Sequence, residues 1–530
     1  MKKIMLWILS LMMILSGCGN KKDEAIHPSL TKDGIQIELS DDEIIVEGEL
    51  ISDDTSQAIY CANDIVYYEA NKDFTYGEGS EKDAHEESEA LKHRVVHIAQ
   101  PGTYEISGTF SQGQIAIDLG DDAKDNESAV VNLILNNVDI TCDVAPAIIF
   151  YNVYECGNRS EENATKDVDT SKAGANVIIA DDSINQVNGS YVAKIYKSYE
   201  LNEESTEVVD SKKLHKYDAA FYSKMSMNVN GGEKGNGILN IKAENEGLDS
   251  ELHLTINGGV INITSGNDGI NTNEDNISVT TLNGGSLNIK CDGSTGEGDG
   301  IDSNGWLVIN GGTLNAQACA TSGDAGIDSD KGIYINGGTI CATGNMLDHI
   351  AGGSQTYVVF QFANRQKGNQ TYTLKDKDDK VVASYTPEND FTYMIIAGDD
   401  LIEGEYTFYQ GEQQLVASAG MQGGMMPGMQ PGGFEQGERP EPPNGMEHPE
   451  GFEQGERPEP PNGMENPEGF EPPYGNEPPE GFEPPEGFEP PQGMEPGRRP
   501  EQGMQSPAEL SPIFKIIAGQ NQFSFVSVKE

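Results

Sequence analysis

Asn-Gly-Gly triplets begin at Asn230, Asn257, Asn283, Asn310 and Asn336, one every 26 or 27 residues. Most are preceded by a second landmark: Gly247-Leu248-Asp249-Ser250, Gly269-Ile270-Asn271-Thr272, Gly300-Ile301-Asp302-Ser303 and Gly326-Ile327-Asp328-Ser329, with a degenerate copy at Ala220-Phe221-Tyr222-Ser223. Between the landmarks run short alternating segments such as Leu252-His253-Leu254-Thr255-Ile256 and Leu307-Val308-Ile309, too short for helices and bounded by glycine, so they are expected to be strands. A unit with two or three such strands cannot bury a core alone, whereas stacked copies share one at the ~4.8 Å strand spacing. The expected fold is therefore all-β, a parallel β-helix or solenoid. A leucine-rich repeat lacks its leucine-and-asparagine frame here, and a nine-residue calcium-binding repeat does not fit the period.

The same alternation appears upstream in Val95-Val96-His97-Ile98, Gln114-Ile115-Ala116-Ile117 and Val131-Asn132-Leu133-Ile134-Leu135. The solenoid is accordingly placed at residues 93–350, after an N-terminal linker and β cap at 18–92. The polar stretches at 151–175 and 189–216 are expected to be flanking loops, which on a solenoid often line the binding face. Residues 351–420, with Tyr357-Val358-Val359-Phe360 and Tyr393-Met394-Ile395-Ile396, suggest a small antiparallel β module closing the open end. Residues 421–507 form a Pro/Gly/Glu/Met-rich segment in which an 18-residue unit, 433–450, recurs at 451–468 with one change, His448 to Asn466. Its composition predicts a disordered insertion, extended by its own charge. β pattern returns in Ile513-Phe514-Lys515-Ile516, so residues 508–530 are expected to rejoin the module.

The chain opens with Lys2 and Lys3, an apolar run from Ile4 to Leu15, and Leu15-Ser16-Gly17-Cys18. This reads as a lipoprotein signal peptide over residues 1–17 with lipidation at Cys18, the apolar run being short of the ~20 residues of a spanning helix. Two acyl chains on such a cysteine suffice for stable anchoring at a membrane. A formal charge of −53 argues against nucleic acid as a partner and favours cations. Six further cysteines (Cys61, Cys142, Cys156, Cys291, Cys319, Cys341) show no CxxC spacing and are read mainly as small core or turn residues.

In register, Asp249, Asn271, Asp302 and Asp328 fall at one position of successive units, and Glu246, Asp268 and Asp299 form a neighbouring column. Stacked like charges must be solvated, protonated or bridged by cations. Hard oxygen donors in flexible turns suit calcium, Asn271 serving as a neutral ligand; an ordinary solvated turn is the competing account, because Asp and Asn favour left-handed turn positions. Trp306, the one tryptophan past the leader, stands beside the acidic column as a sugar-stacking candidate or a half-buried strand residue. Lys224 and Lys331 occupy the landmark position, where a desolvated lysine acts as a base and a solvated one balances carboxylates.

The stretch Pro101-Gly102-Thr103-Tyr104-Glu105-Ile106-Ser107-Gly108, followed by Gly113-Gln114-Ile115, Asn137-Val138-Asp139-Ile140-Thr141 and the glycine-rich repeats, resembles a family of bacterial carbohydrate-binding lipoproteins over residues 35–418. The resemblance implies a right-handed parallel β-helix similar to family 9 polysaccharide lyases, with bound calcium and affinity for plant or cell-wall polysaccharide. It carries calcium ligation to Asp268, Asp299, Asp302, Asp324 and Asp328, and also to Asp249 and Asn271, while Ala325 departs from the acidic pattern. The function expected is noncatalytic, calcium-dependent polysaccharide binding by a monomer on the extracellular face of the bacterial membrane. Two alternatives stand beside it: a calcium-assisted pectate-type lyase with Lys224 or Lys331 as base, and a surface adhesin or scaffold.

Overall fold

In the computed structural model, which describes residues 34–419 and 510–529, the chain is nearly all β, with one four-residue helix at Glu87–Ala90. The leader, Cys18 and the 421–507 segment lie outside the described residues. No described helix is long and apolar enough to cross a membrane.

Strand alternation and the repeat together set the architecture, because successive units contribute strands to the same parallel columns. One column contains Ala219–Ser223, Glu246–Ser250 and Ile270–Thr272, continued by a single bridge from Ile270 to Ile301. A second runs through Met227–Gly231, His253–Ile256, Val279–Leu282, Trp306–Ile309, Ile333–Ile335 and Ile350–Gly352. A third runs through Ile238–Ala243, Val260–Ser265, Ser286–Cys291, Thr313–Gln317 and Thr339–Gly344. Register is kept from unit to unit, so like side chains stack. Leu254, Thr280, Leu307 and Ile333 align, as do Ile256, Leu282, Ile309 and Ile335, and all of these are buried. Each buried Leu or Ile stabilises by roughly 1.5–3 kcal/mol, and their continuity merges the units into one core. The second glycine of the triplet adopts φ of 82° at both Gly285 and Gly312, a left-handed turn that carries the chain from the second column to the third.

Upstream, Gly102–Phe110 lies parallel to Val131–Cys142, which pairs with Ala175–Ile179 and Ile184–Gly189, and these lead into the second and third columns. Parallel pairing begins earlier, where Ile35–Leu39 lies beside Gly102–Phe110. The stretch expected as a loop at 189–216 is instead largely an antiparallel hairpin of Val192–Leu201 and Val208–Tyr217. Its polar composition and few buried positions hid it, because a ribbon solvated on its surfaces needs little apolar alternation.

The last unit is closed by Phe391–Ala397, which pairs antiparallel with Thr339–Gly344. Beyond it a second core gathers Phe360, Phe362, Phe391, Phe408, Phe514 and Phe523, with Phe360 stacked on Phe408 at 4.1 Å between ring centroids. Phe514–Ile516 and Gln520–Val528 pair into this module, on Gly404–Gln410 and Gln413–Ala419 respectively. The module is mixed rather than wholly antiparallel, since Gln520–Val528 runs parallel to Tyr357–Gln366. Cys142, Cys291, Cys319 and Cys341 are buried free thiols, and Cys61 and Cys156 are half-buried.

Candidate functional site

Backbone pairing places the landmark acids in two adjacent files. Asp249 is in register with Asn271, the Asp302 N–H donates to the Ile270 carbonyl at 2.9 Å, and the Asp328 N–H to that of Ile301 at 2.7 Å. One turn earlier in the chain, the Gly247 N–H reaches the Asp268 carbonyl, Gly269 that of Asp299, and Gly300 that of Ala325, each at 3.0 Å. Glu246, Asp268 and Asp299 therefore form the second file, and Ala325 ends it.

Among the described residues, Asp218, Glu246 and Asp249 bring carboxylate oxygens within 4.8 Å of one another, and all three are buried. Glu246 and Asp249 stand on the strand Glu246–Ser250, while Asp218 follows the base of the hairpin and helps shut the acids away from water. Relative exposure falls to 0% for Asp249 and 5% for Glu246. Lys216 faces the group directly, its Nζ 2.7 Å from Asp218 Oδ2, and the charge of Lys213 also reaches Asp218. Asn273 donates to both Asp249 oxygens at 2.9 and 3.0 Å, and Asn271 Nδ2 to Glu246 Oε1 at 3.1 Å. Glu246 Oε2 and Asn271 Oδ1 are buried without a hydrogen-bond partner. Burial, then the charges of Asp249 and Asp218, holds the Glu246 carboxyl well above the usual range; burial and then Asp218 do the same to Asp249. The three crowded carboxylates and the Asn271 amide, whose unsatisfied oxygens are Glu246 Oε2 and Asn271 Oδ1, offer hard oxygen donors of the kind a divalent cation coordinates.

The remaining predicted ligands are drawn out along the files. Asp268 Oδ1 accepts from the Asp299 N–H at 2.7 Å, Asp299 Oδ1 from the Ala325 N–H at 2.5 Å, and Asp324 Oδ2 from the Gly298 N–H at 2.6 Å. These acids thus brace the backbone of a neighbouring unit. They also crowd one another: burial first and neighbouring carboxylates second push Asp268 and Asp302 up to about 7, Asp328 to about 8 and Asp299 to about 9, with Asp348 the nearest partner of Asp328. Trp306 is half-buried at the start of its strand, in register with Val279. Lys224 is half-buried and Lys331 exposed.

Of the compact group, sequence reasoning reached Asp249 and Asn271 and noted Glu246 only as a column member. Asp218 was missed. It lies outside the repeat period, and its only local signal is the Lys216-Tyr217-Asp218 run just ahead of the degenerate landmark.

Among solved structures, one described as the polysaccharide lyase-like protein from C. thermocellum, gadolinium derivative, is similar at 19% identity with a TM-score of 0.34, over 61% of this chain and 93% of that one. No curated protein matches the chain. A family described as carbohydrate-binding domain-containing protein matches residues 92–385, which take in every strand of the repeat and all of the acids above. The chain belongs to this family of carbohydrate-binding domain-containing proteins.

Proposed function

We propose that this chain is a noncatalytic, calcium-dependent polysaccharide-binding lipoprotein, anchored through a lipid on Cys18 at the extracellular face of a bacterial membrane and acting as a monomer. The parallel columns are, in this reading, the faces of a right-handed β-helix, since crossovers between parallel strands take that hand almost without exception. The observation that carries the binding function is the family match over residues 92–385. Calcium is supported by the compact group of Asp218, Glu246 and Asp249, with Asn271 beside it and a buried Glu246 oxygen left unpaired. A second set of ligands is drawn from Asp268, Asp299, Asp302, Asp324 and Asp328. The ion's role is to neutralise carboxylates that otherwise repel across units, which keeps the strands in the register that presents the polysaccharide surface. Retention on insoluble plant polysaccharide, assayed with millimolar calcium and again after chelation, tests the reading. The protein is expected in the bound fraction with calcium and in the supernatant without it. Equal retention in both conditions would remove calcium from the account, and no retention on any polysaccharide would remove the function.

A further inference from the structure

A groove of about 1050 Å³ lies over the second strand column, and its floor is built by the repeat itself. The strand positions alternating with the core-facing ones carry Asn228, Thr255, Thr281 and Val308, aligned in successive units and lining the groove, with Thr281 the least covered of the four. Along its side the triplet asparagines form a continuous amide ladder: Asn257 donates to Asn230 at 3.0 Å, and Asn283, Asn310 and Asn336 each donate to the asparagine one unit earlier at 2.9 Å. The opposite wall is the 166–173 segment, clamped down by Thr170. Its hydroxyl lies 2.7 Å from both Asn228 Oδ1 and Thr255 Oγ1, and its carbonyl accepts from Asn228 Nδ2 at 2.8 Å.

On a chain of formal charge −53, this floor carries no ionisable side chain. Charges among the lining residues are confined to Glu127, Lys166, Asp167, Asp169 and Lys172 in the wall and rim, two cations against three anions. A carboxamide offers two N–H donors and two acceptor lone pairs, and an interior ladder member spends one of each on its neighbours. The interior rungs Asn257, Asn283 and Asn310 therefore each keep one donor and one acceptor free, at the ~4.8 Å strand spacing. A sugar hydroxyl is likewise donor and acceptor at once, and the repeat of an extended β-linked pyranose chain is close to that spacing. A uronate, which brings an acceptor-only carboxylate, meets no cation on the floor, and at the wall and rim the two lysines are outnumbered by three carboxylates. A peptide strand is disfavoured as well, because the groove lies on the face of a sheet, where strand addition has no free backbone to pair with.

We infer that this groove is the polysaccharide site and that it takes a neutral β-linked glycan lying along the asparagine ladder, one sugar to a rung. The inference rests on the polysaccharide-binding reading above and names where and what. Its test uses the full chain in saturating calcium, titrated calorimetrically with a soluble neutral β-glucan and separately with polygalacturonate. Wild type is expected to bind the glucan more tightly than the polygalacturonate. The double substitution Asn283→Ala/Asn310→Ala is expected to weaken glucan binding at least roughly tenfold by removing two rungs. Thr281→Arg, which leaves the ladder in place and fills the floor, is expected to do the same. The calcium-induced rise in melting temperature, measured on each variant, reports that the fold and acidic group are intact. Glucan binding unchanged in both folded variants overturns the groove assignment while leaving polysaccharide binding standing. Preference for polygalacturonate overturns the ligand class, and failure of wild type to bind either polymer defeats both readings.

Discussion

Freed of metal, the protein is expected to melt at lower temperature as pH rises from about 5 to about 9, and calcium is expected to abolish most of that loss. Burial and mutual repulsion raise the folded-state values of Asp268, Asp302, Asp328 and Asp299 to about 7, 7, 8 and 9, above an unfolded value of 3.8. Between those limits the unfolded chain has already released protons that the folded chain still holds. Stability therefore falls with rising pH, by at most ~1.4 kcal/mol per pH unit for each such group. The loss begins above the unfolded value; for Asp268 and Asp302 it is complete near pH 7, and for Asp299 it continues to about 9. A drop of about 10 °C needs only ~5 kcal/mol of this to survive structural relaxation, at roughly 2 °C per kcal/mol for a large domain. Calcium bound as proposed would compete with protons for the same oxygens, so its stabilising effect is expected to grow with pH. Scanning calorimetry with chelator and with calcium at several pH values measures both slopes. A melting temperature that is flat or rises with pH in chelator would mean that the landmark acids are solvated, not crowded.

Replacing Gly300 with alanine is expected to cost about 3 kcal/mol, at the upper end of ordinary overpacking penalties. Gly247, Gly269, Gly300 and Gly326 precede the file of Asp249, Asn271, Asp302 and Asp328, and each lies against the next unit. A Cβ on Gly247 would stand 2.5 Å from the Gly269 carbonyl oxygen, one on Gly269 would stand 2.6 Å from that of Gly300, and one on Gly300 would strike that of Gly326. The obstacle is backbone held on both sides by its neighbours, so relief requires the units to part. The entropic benefit of removing a glycine, about 0.4–1 kcal/mol, is too small to offset this. Gly323→Ala, where a Cβ would meet nothing within 4 Å, is the control and should lie within about 0.5 kcal/mol of wild type. Equilibrium urea unfolding of the two variants decides the matter: equal midpoints would show that the glycine file yields at little cost.

What could be read from the residues alone follows what repeats. The period fixed which segments pair, and so the parallel columns, the two files of acids and the position of Asn271 beside Asp249. It said nothing of Asp218, because the hairpin that delivers it belongs to one unit only and is too polar to announce itself as strand. The Asn-Gly-Gly triplet was legible as the marker of the period, and at Gly285 and Gly312 its second glycine takes the positive φ of a turn. The asparagine's other task was not legible: an amide ladder needs neighbours at strand spacing, a property of the stack and not of any one unit. The glycine ahead of each landmark acid was similarly ambiguous, since crowding from the next unit leaves no local mark in sequence.

The antiparallel strand Phe391–Ala397, seated on the last strand of the third column, has a consequence for how such a chain changes length. With that edge occupied, a duplicated unit finds no place at the end and must be spliced between existing ones, where its strands meet partners on both sides. Each insertion would carry its own asparagine into the row and lengthen the groove by one step, leaving the closing module untouched. If the groove holds the polymer as proposed, the molecule is a ruler graduated in its own repeat, and the number of units sets how long a stretch of polymer it spans.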